Sequence, residues 1–299
     1  MKLAVKTIET KNIVTKSNLP VCDFSVNPYI GCEHACKYCY ASFMKRFTNH
    51  PEEWGYFLDV KDWGKIKNPE KYSGKELFIG SVTDAYQPAE EKYKRTRALL
   101  EQLQGSGAKL SIATKSDLIL RDLDLIKTFP DTEVSFSINT LDENFKDDMD
   151  CAASIARRIN AMKEFYKAGI RTTCFISPIF PKITDVKAII KETKSFCNLV
   201  WLENLNLRGN YRPIILNYIA EKYPELVPLY NAIYSKNDRT YWFELDAEIR
   251  AFCKKEGLLY VRDDDSVKRP FNEPPIVVNY FFHEEIKKSA KKNKAAEAE

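Results

Sequence analysis

The 299-residue sequence has no apolar run approaching the roughly 18 residues that a membrane-spanning helix requires. Its first twenty residues, MKLAVKTIETKNIVTKSNLP, carry scattered charges and lack the apolar centre of a signal peptide. These absences predict a cytoplasmic protein with no membrane partner. Charge of one sign is also missing: 46 Lys and Arg stand against 42 Asp and Glu. A net charge of +4 permits a nucleic-acid partner without arguing for one. The eight cysteines are not spaced as a disulfide framework, and a reducing compartment would not keep one. A hydrophobic fraction of 44% lets a chain of this length build its core without such staples.

What the chain does contain is repeated alternation of strand and helix. KELFIGSVTD (75–84), KLSIATK (109–115), EVSFSINT (133–140), IRTTCFISPIF (170–180) and NLVWLENLNL (198–207) read as strands. Helices fall between them: 90–104, a segment capped by Ser116 or Asp117, 152–168 closed by Gly169, and one capped by Thr184 or Asp185. With an entry strand near 24–30 this makes about six β/α units, the pattern of a parallel sheet covered by helices. The expected class is α/β: a partial (β/α)6 barrel at 21–210, with a doubly wound sheet as the competing architecture. Residues 1–20 read as an N-terminal extension and 211–265 as a mainly helical region. Residues 266–299 read as a segment ending in a charged tail.

One strand hints at an interior with work to do. Ser135, Ser137 and Asn139 share one face of 133–140, while Val134, Phe136 and Ile138 share the other. A strand buried between layers is normally apolar on both faces. Asn204, Asn206 and Arg208 repeat the pattern, and two polar faces predict a ligand-holding cavity.

The densest chemical signal is NPYIGCEHACKYCYASF (27–43), where Cys32, Cys36 and Cys39 stand in C-x-x-x-C-x-x-C spacing. Structural zinc takes four ligands, commonly as two separated pairs, and no second pair exists here. His34 or His50 would have to complete such a site. A [4Fe–4S] cluster held by three thiolates keeps one iron open, and an open position marks a reactive centre.

This spacing, after the first strand of a βα barrel, resembles the radical S-adenosylmethionine (SAM) superfamily. GSVTDAYQPAE, ATKSDLILRDLDLI and YKAGIRTTCFISPIFPKITD extend the resemblance, over about residues 22–207, to the branch related to spore photoproduct lyase. The resemblance implies an oxygen-sensitive enzyme with a [4Fe–4S] cluster on Cys32, Cys36 and Cys39. SAM would chelate the open iron and be cleaved reductively to a 5′-deoxyadenosyl radical. Tyr38 and Tyr40 would line the adenosine. Ser81 and Thr83 would receive the SAM amino group. Lys115 and Ser137 would bind SAM, and Arg158 would reach its carboxylate. A low-potential electron donor such as a flavodoxin or ferredoxin is implied, and nucleic acid is the substrate class the branch suggests. One departure stands out: the lyase carries a hydrogen-donating cysteine where this chain has Gly80. Cys174 is a substitute donor only if its side chain faces inward. The alternative to the whole reading is a non-enzymatic zinc-binding or interaction protein that uses the same three cysteines.

Overall fold

The computed structural model describes residues 3–262 and 274–281. In chain order the strands are β1 (Ala4–Glu9), β2 (Val14–Lys16), β3 (Phe24–Val26), β4 (Tyr29–Ile30), β5 (Phe57–Asp62) and β6 (Glu76–Ile79). They continue with β7 (Lys109–Thr114), β8 (Glu133–Ser137), β9 (Arg171–Ile179), β10 (Leu199–Asn204), β11 (Leu259–Arg262) and β12 (Ile276–Asn279). The large sheet runs β2-β3-β6-β7-β8-β9-β10-β12-β11. Its centre, β3 through β10, is wholly parallel, and each strand lies beside the one before it in this series.

That strand order decides between the two expected architectures. Right-handed crossovers that always step the same way keep the helices on one face and roll the sheet. A doubly wound sheet reverses its order at a switch point, and the parallel run from β3 to β10 has no reversal. The fold is therefore a partial barrel with six central strands. Side chains alternate accordingly: Val134, Phe136, Ile176, Val200 and Leu202 point into the helix-covered core and are fully buried.

The helix Ile155–Lys167 shows how local sequence builds that layer. Ser154 caps it by accepting from the Arg157 N–H at 3.3 Å. Ile155, Ile159, Met162 and Phe165 recur at helical spacing and are buried, each contributing about 1.5–3 kcal/mol. Gly169 ends it in the left-handed conformation.

Three expectations meet differences. The helix expected over 90–104 is two helices, Ala89–Tyr93 and Arg95–Leu103, because Lys94 turns to φ +49°. The buried Glu90 carboxylate accepts from the N–H groups of Thr96 and Arg97 and caps the second helix from inside the first. The segment after Ser116 is mostly a 3₁₀ turn, Asp117–Asp122. Strands also lie outside the barrel span. β1 pairs with β5 in a small sheet completed by β4, and β2 pairs with β3. β12, all four residues buried, lies between β10 and β11. So residues 4–9, 14–16 and 276–279 take part in sheets. The charged tail expected at the end of the chain lies outside the described residues.

Helices Tyr211–Lys222, Val227–Ser235 and Thr240–Lys255 follow the barrel. The first two pack Ile215, Tyr218, Ile219 and Tyr230 against Tyr38, Phe145 and Phe180. The helical region thus covers the flank of the cysteine loop. Trp242 and Tyr241 are core residues. No helix among the described residues is long and apolar enough to cross a membrane.

Candidate active site

The cysteine loop leaves β4 through Gly31, whose φ of +93° suits glycine. A Cβ at this position would lie 2.3 Å from the Phe57 carbonyl oxygen, so the loop passes directly over β5. The Gly31 carbonyl accepts from Thr83 Oγ1 at 2.5 Å, and Gln87 Oε1 accepts from the Glu33 N–H at 2.8 Å. From the other side, Lys37 N–H donates to the Met149 carbonyl at 2.9 Å, and Cys151 N–H donates to the His34 carbonyl at 2.8 Å. Two distant segments therefore clamp the loop at its start and its middle.

The three sulfurs sit in a setting that suits thiolates bound to cationic metal. Burial is the largest influence and pushes all three thiols upward in pKa. Donors oppose it at each sulfur. The His34 backbone N–H serves Cys32, and those of Ala41 and Ser42 serve Cys39. The Trp54 indole Nε1 is buried with no hydrogen-bond partner, and its proximity favours the Cys39 thiolate. Lys115 and Arg158 do the same electrostatically for Cys36. Sulfurs on a largely buried loop, with N–H groups or cations nearby, fit a cluster that would supply the missing positive charge.

A zinc site on the same cysteines would need His34 or His50 as its fourth ligand. His50 is held on both nitrogens, by Glu52 at 3.1 Å and Asp59 at 2.8 Å. His34 Nε2 lies 3.0 Å from Asp84. Among the described residues no three Cys, His, Asp or Glu side chains converge on one metal ion.

Most of the expected SAM-binding residues fall within one hydrogen-bonded network. Tyr40 donates its hydroxyl to the Ser81 carbonyl, and Ser81 Oγ accepts from Asn27 at 2.9 Å. Thr83 is occupied with the loop, as described. Asp84 collects Thr114 Oγ1 at 2.8 Å and the Lys115 N–H at 2.7 Å, which fixes the end of β7. Lys115 Nζ donates to Tyr38 Oη at 3.0 Å, and Tyr38 donates to Asp150 Oδ2 at 3.1 Å. Arg158 is fully buried and reaches Asp150 at 2.8 Å, with a further donation to the Ser137 carbonyl at 3.2 Å. Its guanidinium is thereby fixed on protein acceptors, and Lys115 is the cation with some solvent access. Ser137 is buried at the polar face of β8, where the alternation placed it.

Cys174 is not brought to the site. It is fully buried in the core on the helix-facing side of β9, against Thr193 of the helix Val186–Thr193. Burial pushes its thiol up to about 12. The lumen face of β9 carries Ser177, which donates to Glu203 at 3.0 Å. Gly80 has a structural reason of its own. Its φ is +92°, and a Cβ would meet the Ala113 carbonyl at 3.0 Å. A cysteine does not fit this backbone without strain.

Sequence reading missed Asp150, Gln87 and Asn27. Asp150 is the most connected of them. Burial alone would raise its carboxyl, but Lys115 and Arg158 outweigh burial and hold it below the usual carboxylate range. Asp84 is likewise held low against its burial, by His34 and by the N–H groups of Lys115 and Tyr86. A depressed folded pKa stabilises the fold above the unfolded value and is lost as pH falls through the folded value. Denaturant titrations should therefore show no loss from these two groups between about pH 7 and about pH 5, and a loss below about pH 4. Asp84→Asn should flatten that acid limb.

The radical SAM superfamily profile matches residues 26–192, more than half of the chain. The chain belongs to the radical SAM superfamily. With membership come the superfamily's two cofactors, a [4Fe–4S] cluster and SAM. An uncharacterized protein of Methanocaldococcus jannaschii is 40% identical over 227 residues, 75% of this chain and 85% of that protein. An uncharacterized protein of Acidianus two-tailed virus is 30% identical over 220 residues, 67% of this chain and 72% of that protein. Among solved structures, a variant spore photoproduct lyase with AdoMet and dinucleoside spore photoproduct bound superposes with a TM-score of 0.59. It is 12% identical, covering 93% of this chain and 82% of that one. A second lyase variant gives a TM-score of 0.52 at 16% identity, over 75% and 66% of the two chains. At these identities the likeness is one of fold. This radical SAM enzyme thus has the fold of the spore photoproduct lyase branch.

Proposed function

We propose that this enzyme binds a [4Fe–4S] cluster through Cys32, Cys36 and Cys39 and uses it to start hydrogen abstraction from a substrate in the barrel. The observation that carries the reading is the setting of the three sulfurs: Cys32 buried, Cys36 and Cys39 half-buried, on a loop clamped from two sides, with an N–H or a cation beside each. Held by Cys32, Cys36 and Cys39, the cluster would supply the electron for reductive cleavage of SAM. The chain's own residues bind and orient. Lys115, at the end of β7, offers its ammonium to the SAM carboxylate. The Ser137 hydroxyl serves the ribose, and Tyr38 and Tyr40 form walls beside it. The Ser81 and Thr83 segment receives the amino group, and Arg158 acts on the carboxylate's surroundings through the ion pair it already makes.

Nucleic acid is the substrate class we propose, on the fold likeness to a lyase that binds a dinucleoside spore photoproduct. Repair by the lyase's own thiol route is not part of the proposal, because Gly80 stands where the lyase has its donor and Cys174 faces the helix-covered core. The electron would come from a low-potential carrier such as a flavodoxin or ferredoxin, in the cytoplasm.

Anaerobic reconstitution tests the reading. A brown protein with about four irons per chain is expected, which forms 5′-deoxyadenosine from SAM on reduction. Stoichiometric zinc without that product would sink it. Binding of an oligonucleotide should weaken steeply with salt if phosphates are contacted; a flat salt response would remove nucleic acid from the proposal.

A further inference from the structure

Three consecutive residues tie the cysteine loop to the barrel: the Met149 carbonyl takes Lys37 N–H, the Asp150 carboxylate takes Tyr38 Oη, and Cys151 N–H reaches the His34 carbonyl. Asp150 is the charged member, with a side chain 1% exposed. Arg158 lies 2.8 Å from one of its oxygens and Lys115 Nζ lies 3.9 Å from the other. Lys146 is 3.7 Å away but is itself paired with Asp147 at 3.0 Å. Cys36 packs with Tyr38 and Met149 in the same cluster of side chains. Two cations and one carboxylate, nearly dry, therefore stand beside one ligand sulfur.

Charges in such a place act on redox chemistry. Reduction adds negative charge to a cluster, and a buried neighbouring cation favours the reduced form while a carboxylate disfavours it. Resting on the cofactor reading above, we propose that Asp150 is a positioning residue for the cluster. Its carboxylate offsets Lys115 and Arg158 beside Cys36, holds Tyr38 and Lys115 in place, and so keeps the cluster a strong electron donor.

The test is a redox titration of the reconstituted protein without SAM, followed by the paramagnetic signal of the reduced cluster. Asp150→Asn should move the midpoint to a more positive potential. Lys115→Met should move it the other way. The double variant, which removes one charge of each sign, should return close to wild type, as should Asp150→Glu alone. A merely structural role would give shifts of one sign, or none. An unshifted Asp150→Asn, a same-sign shift in Lys115→Met, or a double variant as displaced as Asp150→Asn overturns the inference. If Asp150→Asn fails to assemble a cluster, the charge-restored double variant must regain one, and its failure to do so also overturns it. A wild-type protein that takes up no cluster would overturn the cofactor reading and this inference with it.

Discussion

Cys36→Ala is expected to abolish 5′-deoxyadenosine formation and to strip most of the iron from the reconstituted protein, while the fold survives. On the proposed reading the thiol is one of three cluster ligands; the remaining five cysteines in the chain lie outside the loop, and Cys151, which touches it through its backbone N–H, is exposed. Loss of one thiolate opens a second iron and exposes the cluster to hydrolysis and oxygen. The loop itself does not depend on that sulfur. Thr83, Gln87, Met149 and Cys151 hold its backbone through bonds that the substitution leaves alone. Removing a half-buried thiol costs about 1 kcal/mol. The prediction is therefore a split between readouts: metal content and SAM cleavage fall to background, while the thermal transition of the apoprotein stays near wild type. An alanine variant that still cleaves SAM would show that the cluster is held elsewhere.

Gly31→Ala should do the reverse and break the fold first. The added methyl would sit 2.3 Å from the backbone oxygen of Phe57. Backbone atoms of β5 are fixed by pairing to both β1 and β4, so they cannot step aside. The left-handed φ of +93° adds its own penalty for any residue with a Cβ. Together these amount to about 3 kcal/mol or more. The expected result is a markedly lower denaturation midpoint, with cluster uptake lost as a consequence. Urea titration of the apoprotein measures the first effect without reference to the metal. A variant as stable as wild type would mean that the loop does not cross β5 as described.

The contrast between these two positions reflects what was legible in the sequence. Cys32, Cys36 and Cys39 announce themselves because their chemistry is local. The central strands were readable for the same reason: Val134, Phe136 and Ile138 alternate with serines inside a single segment. Elements stabilised from a distance were not. β1 is mostly exposed and exists because β5 pairs with it fifty residues later. β12 is four residues long and next to a charged stretch, so its burial depends wholly on β10 and β11. The break at Lys94 needs Glu90, whose carboxylate is held in place by Arg121 and Tyr29 from elsewhere. Asp150 was invisible as a site residue because its partners come from residues 38, 115, 146 and 158. The sheet order likewise could not be read from alternation, which is equally compatible with a barrel and with a doubly wound sheet.

The place of β12 also says something about how the protein is born. It is last among the described strands in the chain, yet it sits inside the sheet, flanked by β10 and β11. The six central strands can assemble as they leave the ribosome, one neighbour at a time. The β10 edge cannot be covered until residue 279 has emerged. Until then the nascent barrel presents a row of unsatisfied backbone groups, with Trp201 and Leu202 on the same strand. Completion of the sheet is thus deferred until residues 276–279 have been made, which makes this edge the point at which chaperones, or premature aggregation, would find the chain.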